Sequence, residues 1–273
     1  MSRAAAKMEL NDAQPQRLQM DEVNYWHYCL YSVVGFICIY YVLSPCISGI
    51  ICPGYKVLSV SKKVDWNARV MSTAHAIFVS FGCVYAFAVD RELSENILRS
   101  KSPIVYTVCA TVIGYMVADL LIMLKHYESI GHSTYLLHHL ASIYAYYFLM
   151  QYGLLSYFAN FRLIAEFSTP FVNLRWFLSA LGKPKSSVLF IVNAIMLGAT
   201  FFLFRILVMP YFWYKAYSVY DDLADDVNKL YAVLIVTCSA LDLTNIVWFY
   251  KICSLARNLL VTVDKNDNSL KAD

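Results

Sequence analysis

The apolar positions of this 273-residue chain fall into blocks of about 20, separated by short polar stretches. A bilayer core about 30 Å thick takes roughly that many residues per helix, so the pattern predicts spanning helices rather than a soluble core. Seven segments emerge, at about 25–47, 70–89, 103–124, 134–150, 154–179, 188–214 and 230–250. The predicted fold is an all-α, polytopic transmembrane helical bundle of six to seven spans. The count turns on the fourth segment. Ser129 to Phe161 holds no Asp, Glu, Lys or Arg but is too long for one helix. Gln151, Tyr152 and Gly153 are therefore expected to form a tight turn or part of a re-entrant segment, with segments four and five as close neighbours.

Composition agrees: 59% of residues are hydrophobic, 15% are charged and mean hydropathy is +0.51. A net charge of +3, widely dispersed, excludes a nucleic-acid groove binder. The basic run of Lys56, Lys62, Lys63 and Arg69 lies between two apolar segments, where a cytoplasmic membrane surface accounts for it. Aromatic clusters such as Tyr211-Phe212-Trp213-Tyr214 fall at expected span ends, as interfacial belts do. The eight cysteines show no metal-ligand spacing and read as small core residues. The apolar run from Tyr25 is too long for a signal peptide, and the last residues carry no retrieval, peroxisomal or prenylation signal.

Lys and Arg set the expected orientation. Eleven fall in the loops after segments one, three and five together with the C-terminal tail, against eight on the other side. This favours a cytoplasmic C-terminus with the N-terminus across the membrane. Asp221, Asp222, Asp225 and Asp226 then form a solvated loop on the non-cytoplasmic side.

An ionisable side chain at mid-bilayer costs about 2.5–3.5 kcal/mol on insertion scales, so each needs a partner, a cavity or a function. His75, Asp119, His138, His139, Asn160, Arg162, Glu166, Arg175, Asn193, Arg205 and Asp242 all lie within predicted spans. Arg162 and Glu166, four apart, are expected to stack on one helix face as an internal salt bridge or a site, with Asn173 extending the stripe. Pro170 should kink this helix and free the carbonyl of Glu166. His138 and His139 point about 100° apart on a helix. His138 shares its face with Ser142 and Tyr146, the more polar direction, and His139 with Tyr135 and Ile143. An imidazole here could serve as general base, transient acyl acceptor or hydrogen-bond donor to a lipid head group. Asp119, Glu166 and Asp242 compete to orient it. Six histidines without an H-x-x-H-H motif exclude a di-iron desaturase, no metal site is expected, and the chain lacks the motifs of a G-protein-coupled receptor.

Three runs carry a resemblance: Lys62 to His75, Leu137 to Tyr147 around the His pair, and Asn160 to Trp176 around Glu166 and Pro170. Together they resemble the TLC domain family. The resemblance implies a tail over 1–24, a first transmembrane helix and loop over 25–60, the TLC domain over 61–260, and a second polar tail over 261–273. It also implies a helical bundle around a lipid-sized interior, a location in the endoplasmic reticulum, and a role in lipid homeostasis with a membrane lipid or acyl chain as partner. In the ceramide synthases of this family a similar His-His pair is catalytic and is followed about 27 residues later by His-Asp-x-x-Asp. That spacing from His139 reaches Glu166, while Ala165 and Thr169 stand where the family has His and the second Asp. By resemblance His138, His139 and Glu166 are the candidate catalytic set, and His75, Asp119, Asn160, Arg162, Arg175 and Asp242 candidate lipid contacts. Two functions follow. One is a lipid-handling protein without a cofactor. The other is an N- or O-acyltransferase using acyl-CoA as co-substrate, with Glu166 or Asp119 orienting the base and Arg162 or Arg175 contacting an oxyanion or phosphate.

Overall fold

The computed structural model describes residues 25–220 and 225–270, with side chains assigned outside 225–233 and 258–270. The predicted N-terminal tail with Arg3, Lys7 and Arg17, and also Asp221, Asp222 and Lys271, fall outside the described residues, whereas Asp225, Asp226, Lys229 and Lys265 lie on α8 with their side chains not described. The described residues are mostly helical, joined by short turns and loops, and contain no strand. The long elements are α1 (Tyr25–Ile51), α2 (Val60–Val89), α3 (Pro103–Lys125), α4 (Ser133–Tyr152), α5 (Ser156–Leu163), α6 (Thr169–Ala180), α7 (Val188–Ser218) and α8 (Asp225–Leu270). They follow the predicted segments, with the fifth divided into α5 and α6, except that α8 runs about twenty residues beyond the predicted seventh segment and through most of the predicted second polar tail. Four of them, α1, α2, α3 and α7, are long and apolar enough to cross a membrane.

Helix α2 begins ten residues before the predicted segment, so Lys62, Lys63 and Arg69 are helical rather than part of a loop. The Ser59 side chain accepts from the Lys62 amide at the N-terminus, and Asp65 pairs with Arg69 one turn on at 2.8 Å. Hydropathy missed this because a polar first turn is invisible to it.

Three prolines shape the bundle. In a regular helix each ring would collide with the carbonyl four residues earlier, namely Tyr41 for Pro45, Glu166 for Pro170 and Ile206 for Pro210. At all three places the α-helix gives way: to π turns over Ile39–Leu43 and Phe202–Leu207, and to a 3-10 segment over Ile164–Ser168. The expected free carbonyl at Glu166 is not free, because the tightened turn brings the Thr169 amide onto it.

Helix α3 is the centre of the bundle and packs on α1, α2 and α4. Ala110, Gly114 and Ala118 give it a smooth stripe, and at Gly114 a Cβ would overlap Ser32 and the Cys29 carbonyl, so α1 lies directly on its backbone. The Ser32 hydroxyl seals this crossing by donating to the Thr111 carbonyl at 2.8 Å. Between α4 and α5 the chain turns through Gly153 and Leu155, both in the left-handed region at φ 65° and 67°. The chain thus turns tightly, but at 153–155 rather than at 151–153: Gln151 and Tyr152 still belong to the last turn of α4. The two helices nonetheless diverge beyond the turn, α4 leaning on α3 and leaving space between α4, α5, α7 and α8.

Candidate functional site

That space is a series of three chambers along the bundle. The outer chamber, about 400 Å³, lies between the first turns of α2 and α4, the last turns of α3, the first half of α6 and the middle of α7 and α8, and takes Asp65, Arg69, Asp119, His138, His139, Glu166, Arg175, Arg205 and Lys251 into its wall. A middle chamber of about 370 Å³ shares His138, Glu166, Arg205, Met116 and Trp248 with it and adds His75. An apolar end of about 110 Å³, walled by residues such as Ala145, Leu149, Phe158 and Ile235, shares Ser142, Tyr146, Arg162 and Phe212 with the middle one. Polarity thus falls from the end rich in Lys and Arg toward the opposite end.

The two histidines divide their roles. His139 is buried, with Nδ1 2.6 Å from the Tyr135 carbonyl and Nε2 2.7 Å from Asp119 Oδ2. A carbonyl only accepts, so Nδ1 carries a proton and donates. Opposite a carboxylate Nε2 donates as well, forming an ion pair, and a neutral ring would instead place the proton on Asp119. Either way His139 has no free lone pair. It is a positioned group, not a free base. His138 makes no hydrogen bond among the described residues and borders both the outer and the middle chamber. The more polar direction predicted for His138 thus faces the cavity, whereas the polar bonds belong to His139. Of the three competing carboxylates, Asp119 takes the histidine.

The expected stripe on the fifth segment is broken. Arg162 does not bond Glu166: Nη1 meets Asp242 Oδ1 at 2.7 Å, and the guanidinium lies 4.8 Å over the Phe212 ring. Asp242 also accepts from Trp213 Nε1 at 2.8 Å, so the group ties α5, α7 and α8 together. The 3-10 turn between Arg162 and Glu166 removes the regular i, i+4 geometry on which the predicted pair depended. Asn173 turns to α2 instead, donating to Thr73, Ser72 and the Arg69 carbonyl.

Glu166 is left beside Arg205 without direct contact, and Thr169 bridges them: its hydroxyl donates to Glu166 Oε2 at 2.8 Å and accepts from Arg205 Nη2 at 3.3 Å. Arg205 completes its fork on Ser168 Oγ and Asn245 Oδ1. A guanidinium held by three neutral oxygens is fixed in place with its charge turned to the chambers. Arg175 lines the outer chamber, with Nε buried and unbonded. Asn160 is fully buried and spends its amide on the Cys83 carbonyl, clamping α5 to α2; neither it nor Asp242 borders a chamber.

A family profile described as the TLC domain matches residues 65–254. The chain belongs to the TLC domain family. This is a membrane protein family linked to lipid metabolism. The TLC domain so bounded contains every candidate residue from His75 to Asp242. Human TLC domain-containing protein 4 is 35% identical over 247 residues, covering 88% of this chain and 93% of its own. TLC domain-containing protein 4-B of Danio rerio is 39% identical over 223 residues, covering 81% and 84%. A more distant TLC domain, in TLC domain-containing protein 4 A of Dictyostelium discoideum, is 24% identical over 202 residues, covering 71% of this chain and 75% of its own.

In the sequence Arg205 was legible only as a lone charge in an apolar segment, and Thr169 only as the residue standing where the family has its second Asp. Tyr115 had no signal, since a tyrosine in a span is ordinary; only the fold stacks it on His75, with ring centroids 3.8 Å apart, and sets Thr169 between two opposite charges.

Proposed function

We propose that this protein binds a membrane lipid inside its bundle and acts in lipid homeostasis, with the lipid's polar group among His138, Glu166 and Arg205 and its chain in the apolar end. The observation that carries this reading is the run of three adjoining chambers whose polarity falls along the bundle axis. An amphipathic molecule matches such a gradient, and a pathway for water or ions does not, because its apolar end would block them. Six to seven helical passes, a cytoplasmic C-terminus and residence in the endoplasmic reticulum belong to the same reading. The charged rim of Arg69, Arg175 and Lys251 would then face the cytoplasmic head-group region.

The test is lipid analysis of the purified protein. A lipid should co-purify with the wild-type chain and be depleted in His138→Ala. A preparation carrying no more lipid than an unrelated bundle of similar size would refute the reading.

One observation favours a second reading. Among the described residues His138 has no hydrogen-bond partner, and it stands at the border of two chambers. As a base it could take the proton of an acceptor amine or hydroxyl while that group attacks an acyl-CoA thioester, the new acyl bond forming as the coenzyme thiolate leaves and is protonated. Incubation with acyl-CoA and sphingoid or lysolipid acceptors tests it: product lost in His138→Ala supports acyl transfer, and absence of product from wild type removes it.

A further inference from the structure

His75 is the least explained polar group in the bundle. It is 1% exposed and lies on the wall of the middle chamber, yet among the described residues neither ring nitrogen has a hydrogen-bond partner. Burying a polar group without a hydrogen-bond partner is unfavourable. Packing does not require a histidine there. The ring is sandwiched by aromatic neighbours, stacked on Tyr115 at 3.8 Å and edge-on to Phe36 at 5.9 Å, a setting that phenylalanine would fill as well. The polar atoms therefore answer to something that enters the chamber.

The groups around it narrow the chemistry. Glu166 is on the wall of the same chamber and within electrostatic reach of His75, and only its Oε2 is engaged, by Thr169. Arg205 shares that wall, anchored on neutral oxygens. Asp119 and His139 also face His75 electrostatically, but each is committed to the other. A carboxylate in the chamber would meet Glu166, and an ammonium would meet Arg205. A neutral hydroxyl is repelled by neither. It also both donates and accepts, as an imidazole N–H opposite a carboxylate requires. From His138 to Leu149 the middle and apolar chambers follow α4 over about 16 Å of helix rise, room for an extended hydrocarbon chain behind that hydroxyl.

We propose that the middle chamber takes a lipid bearing a free, uncharged hydroxyl, which accepts from the His75 ring and donates to Glu166 while its hydrocarbon chain runs toward the apolar end. This rests on the lipid-binding reading and names the class of lipid.

The full chain in phosphatidylcholine nanodiscs is labelled with a mid-chain diazirine derivative of hexadecanol. Unlabelled hexadecanol, hexadecyl methyl ether, palmitic acid and hexadecylamine then compete. The ether keeps the oxygen but loses the donor, stranding the Glu166 oxygen, so hexadecanol should compete at about tenfold lower concentration or less. His75→Phe keeps the aromatic stack and should bring alcohol and ether together. Equal competition by alcohol and ether in wild type, stronger competition by the acid or the amine, or a preference that survives His75→Phe would each overturn the assignment while leaving lipid binding intact. Failure of any chain to label would overturn lipid binding itself. The wild-type series decides without the variant, so a misfolded His75→Phe leaves the test in place.

Discussion

Asp119→Leu removes the carboxylate that His139 Nε2 faces at 2.7 Å while Nδ1 remains on the Tyr135 carbonyl at 2.6 Å. The side chains are 13% and 9% exposed, so water screens the pair only weakly. Removing one partner of a buried pair costs about 3–5 kcal/mol, whereas replacing both by apolar groups of similar volume is often close to neutral. Asp119→Leu and His139→Leu should each cost about 3 kcal/mol or more, and the double variant less than either. The coupling between them should then be about 3 kcal/mol or more. Thermal unfolding in nanodiscs, followed by tryptophan fluorescence, reads this directly. At about 2–4 °C per kcal/mol for a chain of this size, each single variant should lower the midpoint by roughly 6–12 °C. The reasoning fails if the two losses add in the double variant, or if either single variant unfolds within about 1 kcal/mol of wild type.

Gly114→Ala should destabilise by about 1–3 kcal/mol, because its methyl group has no room against Ser32 and the Cys29 carbonyl, while Gly198→Ala, with nothing within 4 Å, should be neutral or stabilising; the two midpoints compared in one melt series decide it. Arg205→Lys should lower stability by about 1.5–3 kcal/mol, since a single ammonium cannot reproduce the three-oxygen fork on Ser168, Asn245 and Thr169; a midpoint unchanged from wild type would argue against that fork. Thr169→Val should cost about 1–3 kcal/mol by stripping Glu166 of its donor, and an unchanged unfolding midpoint would count against the bridge. Lys183→Cys and Glu95→Cys, placed after α6 and before α3, should react with a membrane-impermeant maleimide from opposite faces of sealed vesicles, with labelling from one face contradicting the proposed topology.

Much of the fold is legible in the apolar blocks, and the exceptions have identifiable causes. Boundaries failed where polarity and helicity part company, as at Val60, where Ser59 caps a helix whose first turns are basic. Proline effects were read at Pro170 but not at Pro45 or Pro210, although all three interrupt the α-helix in the turn that holds the opposing carbonyl. The site was legible as an inventory. The pairing of its members was not: Arg162 and Glu166 are ideally spaced on paper, yet a 3-10 turn separates them, and each finds its partner elsewhere.

By itself the sequence determined that this is an all-helical membrane protein, because a helix in lipid satisfies its own backbone and so announces itself by local composition and length, and its motif runs around His75, His138 and Glu166 carried the resemblance to the TLC family. It also determined which ionisable groups require an explanation, since the cost of burying a charge depends on where it sits along a span. Only the tertiary structure decided which of them meet. Asp119 takes His139 and leaves His138 free, Asp242 takes Arg162, and Thr169 holds Glu166 beside Arg205, because such contacts depend on the crossing of helices far apart in the chain. The chamber they enclose, and the unbonded His75 on its wall, arise from that crossing alone.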